Sequence, residues 1–160
     1  MGSEANLTQP QIYDETLKGL MAISDPSRGD MVATFGETTG HLALKTMREK
    51  MASDPVGRRI LAEKPRIRSS SVDVDYLASL PENTFGHAYA KFLAERGFSP
   101  DERPEVQYVD DPELAYVMTR YRECHDLFHV ILDAHTNMLG EIAVKWVEGI
   151  QLGLPMCVLG

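Results

Sequence analysis

The chain has 160 residues, of which 43% are hydrophobic and 25% charged, and a formal net charge of -8. That length suits one domain with its own core, and the composition is globular rather than disordered. The acidic balance excludes general nucleic-acid binding, and two cysteines, Cys124 and Cys157, make neither a disulfide framework nor a zinc knuckle.

The first eleven residues carry no basic segment followed by an apolar run, so they do not read as a secretory signal. They also lack the arginine-rich character of a mitochondrial leader, and Asn6 stands where myristoylation needs Ser or Thr. Helical spacing begins at residues 12–23, with Ile12, Leu20 and Ile23 among helix formers. An N-terminal helix and lead-in is therefore expected over 1–27. Phe35 to His41 is Gly-rich but lacks the lysine and spacing of a phosphate loop, so it reads as a turn followed by a cap. Thr39 is the expected cap of a helix through about Ala52, with Leu44, Met47 and Met51 on one face.

Asp54-Pro55 predicts an N-cap and a first-turn proline, and Pro65 stops that helix after Lys64. Residues 66–75 read as loop, with Asp75 opening a turn around Tyr76, Leu77 and Leu80. Phe85, Tyr89, Phe92 and Leu93 form the stripe of the next helix, which Gly97 ends. Residues 98–110 are a polar connection. Asp111-Pro112-Glu113 starts a long helix to about Leu132, and Thr136 is the expected cap of a last helix ending before Pro155. The apolar run 142–160 contains Lys145 and Glu148 and is broken by Pro155, so it does not read as a membrane span. The fold class is all-α, a single helical domain.

The long helix holds the chemistry. Leu114, Met118, Tyr121, His125, Phe128 and Leu132 recur at i, i+4, i+7, i+11, i+14 and i+18, so His125 continues the buried face. His129 lies one turn on, and Asp126 sits about 100° round the helix. Polar groups crowded on an inward face need compensation, and imidazole with carboxylate suits a divalent ion such as zinc. Glu141 lies in the first turn of the following helix, and a helical hairpin can fold it back toward His129. The pattern is His125-Asp126-x-x-His129-x(11)-Glu141.

A plainer account stands beside this one. Helical histidines can be core or surface residues with ordinary partners, and Glu141 can pair with Lys145 at i+4. His135 reads as a loop residue, and His41 and His87 as surface or helix-start residues. Asp126 stands where helical zinc proteases place their catalytic glutamate, which excludes that template. A His-Asp phosphohydrolase shares the His125-Asp126 pair but needs further ligands that the sequence does not supply. Arg58, Arg59, Lys64, Arg66 and Arg68 form a basic cluster, read as a solvated helix end or as an attractor of lipid headgroups or an anionic substrate. Gly140, Gly149 and Gly153 offer close helix packing, and both cysteines read as buried, inert thiols.

These segments together resemble the coenzyme Q (ubiquinone) biosynthesis family that is fourth in the Coq series. The likeness runs through Arg28-Gly29-Asp30-Met31, Gly36-Glu37-Thr38-Thr39-Gly40 and Glu63-Lys64-Pro65-Arg66-Ile67. It continues through Tyr116-Val117, Arg120-Tyr121-Arg122-Glu123 and His125-Asp126-Leu127-Phe128-His129. Thr136 to Glu141, Val144-Lys145-Trp146 and Gly153-Leu154-Pro155-Met156-Cys157 complete it, so it covers the chain from about residue 28. The resemblance implies a helical domain over 28–160, C-terminally incomplete because the family continues past this point.

It further implies zinc held by His125, Asp126, His129 and Glu141 in a metal-binding helical hairpin. The implied activity is removal of the C1 carboxyl from a 4-hydroxy-3-methoxy-5-polyprenylbenzoate, a carbon-carbon lyase reaction. If C1 is hydroxylated as carbon dioxide leaves, iron or another redox metal replaces zinc. The alternative is a non-catalytic, zinc-stabilised scaffold that binds prenyl lipids and organises partner enzymes. The implied partners are other coenzyme Q biosynthesis proteins and a membrane surface, with room for a homodimer and without nucleic acid. The implied location is the matrix side of the mitochondrial inner membrane, as a peripheral protein whose targeting leader is absent from this sequence.

Overall fold

A computed structural model describes residues 29–103 and 105–159. The expected helix over 12–23 lies outside them. The described chain is helical and, among these residues, has no strand. The elements are α1 (Gly29–Thr39), α2 (His41–Ser53), α3 (Pro55–Glu63), α4 (Val74–Ser79), α5 (Phe85–Arg96), α6 (Pro112–Ile131), α7 (Met138–Leu152) and α8 (Met156–Leu159).

Most boundaries follow from capping chemistry. Asp54 accepts from the N–H groups of Val56 and Gly57 at the start of α3. Asp111 accepts from Glu113 and Leu114 at the start of α6, and Gly97 closes α5 at φ 65°. Three boundaries differ from expectation. Residues 35–41 are not a turn: helix runs through Thr39, whose hydroxyl donates to the Phe35 carbonyl at 2.7 Å instead of capping α2. The corner is made by Gly40, where a Cβ would strike the Gly36 carbonyl and press on Leu154 and Met118. Asp73 rather than Asp75 caps α4, and Asn137 rather than Thr136 caps α7. In these last two cases the capping residue has the extended backbone that an N-cap requires.

Helix α6 lies between two apolar clusters. Ala43, Leu44 and Met47 of α2, Leu61 of α3, and Leu154, Met156 and Cys157 pack on its Leu114, Val117, Met118 and Tyr121. Tyr89, Phe92 and Leu93 of α5, with Leu77 of α4, pack near Leu127 and Val130. Fully burying side chains such as Leu44 and Met118 stabilises by roughly 1.5–3 kcal/mol each. A helix covered on two sides has too little surface for its polar residues. Arg122, Glu123, His125, Asp126 and His129 of α6 are all buried. Their partners are therefore part of the fold.

Candidate metal centre

His125 and His129 project from successive turns of α6, with their Nε2 atoms 3.2 Å apart. Beyond α6, Asp133 adopts φ 50° and reverses the chain. The Ala134 N–H then bonds the His129 carbonyl at 2.9 Å. Asn137 accepts from the Gly140 N–H at 2.9 Å to start α7. Only a glycine fits at 140, because a Cβ there would collide with the His135 carbonyl. This tight return brings Glu141 over both rings: Oε1 lies 3.3 Å from His129 Nε2 and Oε2 lies 3.4 Å from His125 Nε2.

Donor accounting shows what this arrangement lacks. The Nδ1 of His129 is 3.1 Å from the Ala134 carbonyl, which can only accept. The Nδ1 of His125 is 2.8 Å from Glu148 Oε1. In the neutral rings the proton therefore sits on Nδ1, which leaves both Nε2 atoms as bare acceptors. They face each other and a carboxylate, with no donor among the three residues. Acceptors this close repel unless a cation or added proton sits among them. Ligands about 2.0 Å from a tetrahedral ion stand about 3.3 Å apart, which these separations match. The ligand atoms of His125, His129 and Glu141 all lie within 4.8 Å of one another.

Electrostatics agree with an electron-rich site that attracts positive charge. Burial opposes ionisation of Glu141, but the His125 and His129 rings beside it favour the carboxylate more strongly and hold the carboxyl well below its usual range. Its place in the first turn of α7 adds the favourable end of the helix dipole. Burial also disfavours a charged His125, yet its contacts with Glu141 and Glu148 push its pKa up. Phe92 stacks on the His129 ring at 5.7 Å, and Arg96 lies 4.2 Å from the centre of the Phe92 ring. These layers close one wall of the site.

Asp126 is placed differently. Its carboxylate pairs with Arg103 of the 98–110 connection, and it is not part of the converging group. It also borders Tyr89, whose pKa is pushed up to about 12 by burial and by the Asp126 charge. Arg103 lines a cleft of about 190 Å³ with Arg66, Arg68, Arg122 and Glu123. The basic cluster read from the sequence is divided. Arg66 donates to Glu123 at 2.7 Å and Arg68 to Glu105 at 3.1 Å, whereas Arg58 donates to the Ala52 and Ser53 carbonyls.

His41 opens α2 at the surface, and His135 is exposed in the loop. His87 contacts the Ala78 and Leu80 carbonyls. Cys157 is buried and Cys124 partly so, and burial raises both thiol pKa values. Glu148, Arg103 and Glu37 received no site role in the sequence reading. Glu148 had a usable signal, since it lies seven residues, two helical turns, beyond Glu141 on the same face. Arg103 and Glu37 had none, because their partners are 23 and 85 residues away.

On the outer side of α7, Leu139, Ile142, Trp146 and Ile150 are exposed at i, i+3, i+7 and i+11. Ile131 and Leu132 at the end of α6 are also exposed. No helix among the described residues is long and apolar enough to cross a membrane.

Fold and site together define a helical protein with a candidate three-residue metal centre on a helical hairpin. Residues 8–160 match the family model described as coenzyme Q (ubiquinone) biosynthesis protein Coq4, and the chain belongs to that family. It is 55% identical over 141 residues to the mitochondrial ubiquinone biosynthesis protein COQ4 homolog of Drosophila yakuba, covering 88% of this chain and 53% of that protein. The Danio rerio homolog is 55% identical over 142 residues, covering 89% of this chain and 52% of the relative. The chain thus spans about half the length of these curated relatives. The fold is also similar to that of a Nostoc punctiforme protein assigned to ubiquinone biosynthesis and solved by crystallography. That match has a TM-score of 0.66 at 23% identity, covering 91% of this chain and 67% of the other.

Proposed function

We propose that this protein acts in ubiquinone biosynthesis as a metal-dependent decarboxylase of a 4-hydroxy-3-methoxy-5-polyprenylbenzoate. The observation that carries the metal reading is the convergence of His125, His129 and Glu141 with every donor turned outward. These three would hold the ion. Three protein ligands leave a coordination position for substrate, the pattern of catalytic rather than closed structural sites. When bound, the ion supplies positive charge that polarises the substrate carboxylate or phenolate. Zinc suffices for plain loss of carbon dioxide, in which the C1–carboxyl bond breaks and C1 gains a proton. Replacement of the carboxyl by hydroxyl would take one oxygen atom from dioxygen, with two electrons and two protons from an external reductant carrying the other to water, and would call for iron or another redox metal.

The chain's own residues prepare the site. The Ala134 carbonyl and Glu148 fix the imidazole tautomers. Arg103 pairs with Asp126 and keeps it out of the converging group, and that carboxylate would become a fourth ligand only if released. Phe92 keeps water from one face of His129. The exposed Leu139, Ile142, Trp146 and Ile150 suit a prenyl tail or a membrane surface beside Glu141. The mitochondrial relatives support that organelle, and within it we place the protein on the matrix side of the inner membrane among other coenzyme Q biosynthesis proteins.

That same apolar stripe favours a second reading, a zinc-stabilised scaffold that binds prenyl lipids and partner enzymes without catalysis. One experiment separates them. The protein is loaded with zinc or, in air and with a two-electron reductant, with iron(II), and given the prenylated benzoate in detergent micelles. Carbon dioxide release by wild type but not by a folded Glu141→Ala variant supports the enzyme. Metal-loaded protein that binds the substrate without turnover leaves the scaffold.

A further inference from the structure

Glu148 is fully buried, a place where a carboxylate is rare. Its α7 neighbours on that face are Val144 and Gly149, so packing alone does not call for an acid. Both of its oxygens have partners. The Tyr121 hydroxyl donates to Oε2 at 2.9 Å, and the His125 ring meets Oε1 at 2.8 Å through Nδ1. Cys157 Sγ adds a contact 3.4 Å from the Tyr121 oxygen and 3.8 Å from Oε2. The carboxylate is therefore fixed from behind and aimed at one imidazole.

We infer that Glu148 is a positioning residue that sets the metal affinity of the site through His125. This rests on the reading of His125, His129 and Glu141 as metal ligands. By accepting from Nδ1–H, Glu148 locks the ring in the tautomer whose Nε2 faces Glu141 and His129. Its negative charge increases the electron density that His125 offers to a cation. The two imidazoles are unequal for this reason. His129 leans on the neutral Ala134 carbonyl, and His125 leans on a charged acceptor that Tyr121 holds still. His125 is the stronger ligand because of a residue two turns along α7 from Glu141.

The test uses the 160-residue chain and zinc itself. Affinity is measured by competition with a chromophoric chelator, helical content by circular dichroism, and the His125 Nδ1–H proton by NMR of the zinc-loaded protein. Glu148→Gln keeps the shape and removes the charge. It is expected to weaken zinc binding about 10–100-fold at unchanged helicity and to shift the Nδ1–H resonance upfield. If that variant does not fold, Tyr121→Phe takes its place, with an expected weakening of about two- to tenfold from loss of one hydrogen bond. A folded variant with wild-type zinc affinity and resonance overturns the inference alone. His129→Ala is the control. If it takes up zinc as wild type does, the metal reading itself is overturned, and the role of Glu148 goes with it.

Discussion

The two flanks of α6 solve the same problem in opposite ways. On one flank, buried acids meet cations supplied by the chain. Arg122 reaches Glu37 at 2.6 Å, Arg66 reaches Glu123 at 2.7 Å, and Arg103 reaches Asp126. On the other flank, His125, His129 and Glu141 converge, and among the described residues no lysine or arginine forms an ion pair with Glu141. Buried charge must be compensated in either case. Where the chain supplies the cation, the result is architecture. Where it does not, the result is a group that could hold a cation from outside.

The largest effect expected from breaking this contrast is at His129. His129→Ala removes a ligand that is almost fully buried, and stoichiometric zinc uptake should be lost, along with any zinc-dependent rise in melting temperature. On the opposite flank, Glu37→Ala leaves Arg122 facing a vacated buried position and strips the Gln107 and Tyr108 N–H groups of their acceptor. Urea denaturation should show a loss of about 3 kcal/mol, with zinc affinity unchanged in the protein that folds. Equal damage to zinc affinity would erase the distinction between the flanks.

Gly140→Ala tests the hairpin that joins the two helices. Its Cβ pushes on the His135 carbonyl, and the expected cost is about 1–3 kcal/mol in stability with weaker zinc binding, because Glu141 is displaced. Asp126→Asn is the sharper probe. It sits between the two ligand histidines in sequence but on the arginine flank in space. Zinc affinity measured by chelator competition should change only slightly, and a loss as large as that of His129→Ala would return Asp126 to the ligand set.

The smallest effect is a pH dependence of the metal-free protein. Glu141 has a lowered pKa, so its contribution to stability is present above its ordinary value of 4.5 and is lost as pH falls toward the depressed one. His125 has a raised pKa, so its contribution is present below 6.5 and is lost as pH rises through the raised value. The stability difference between wild type and Glu141→Gln should therefore peak between pH 4.5 and 6.5 and shrink on either side. Zinc uptake should run the other way and improve above that window, since a ligand imidazole must be neutral.

Local chemistry made much of this legible. The caps at Asp54 and Asp111, the stop at Gly97 and the stripe through Met118, Tyr121 and His125 all depend on residues a few positions apart. The spacing of His125 and His129 placed both rings on one face for the same reason. Thr39 misled because the helix before it runs on to that residue and the corner at Gly40 has no room for a Cβ, and Thr136 because Asn137 next to it accepts from the Gly140 N–H. The family likeness placed Asp126 with the ligands, but the sequence carries no sign that Arg103 holds it elsewhere.

The sequence by itself determined most of the helices, the family and the two histidines, because periodicity, capping and motif spacing act over a few residues. The tertiary structure decided which acids face the histidines. Glu141 arrives through a glycine-dependent return, Glu148 follows it two turns later, and Asp126 is drawn away by an arginine 23 residues upstream. Charge pairing across such separations depends on which surfaces the core presses together, and only the packed chain sets that.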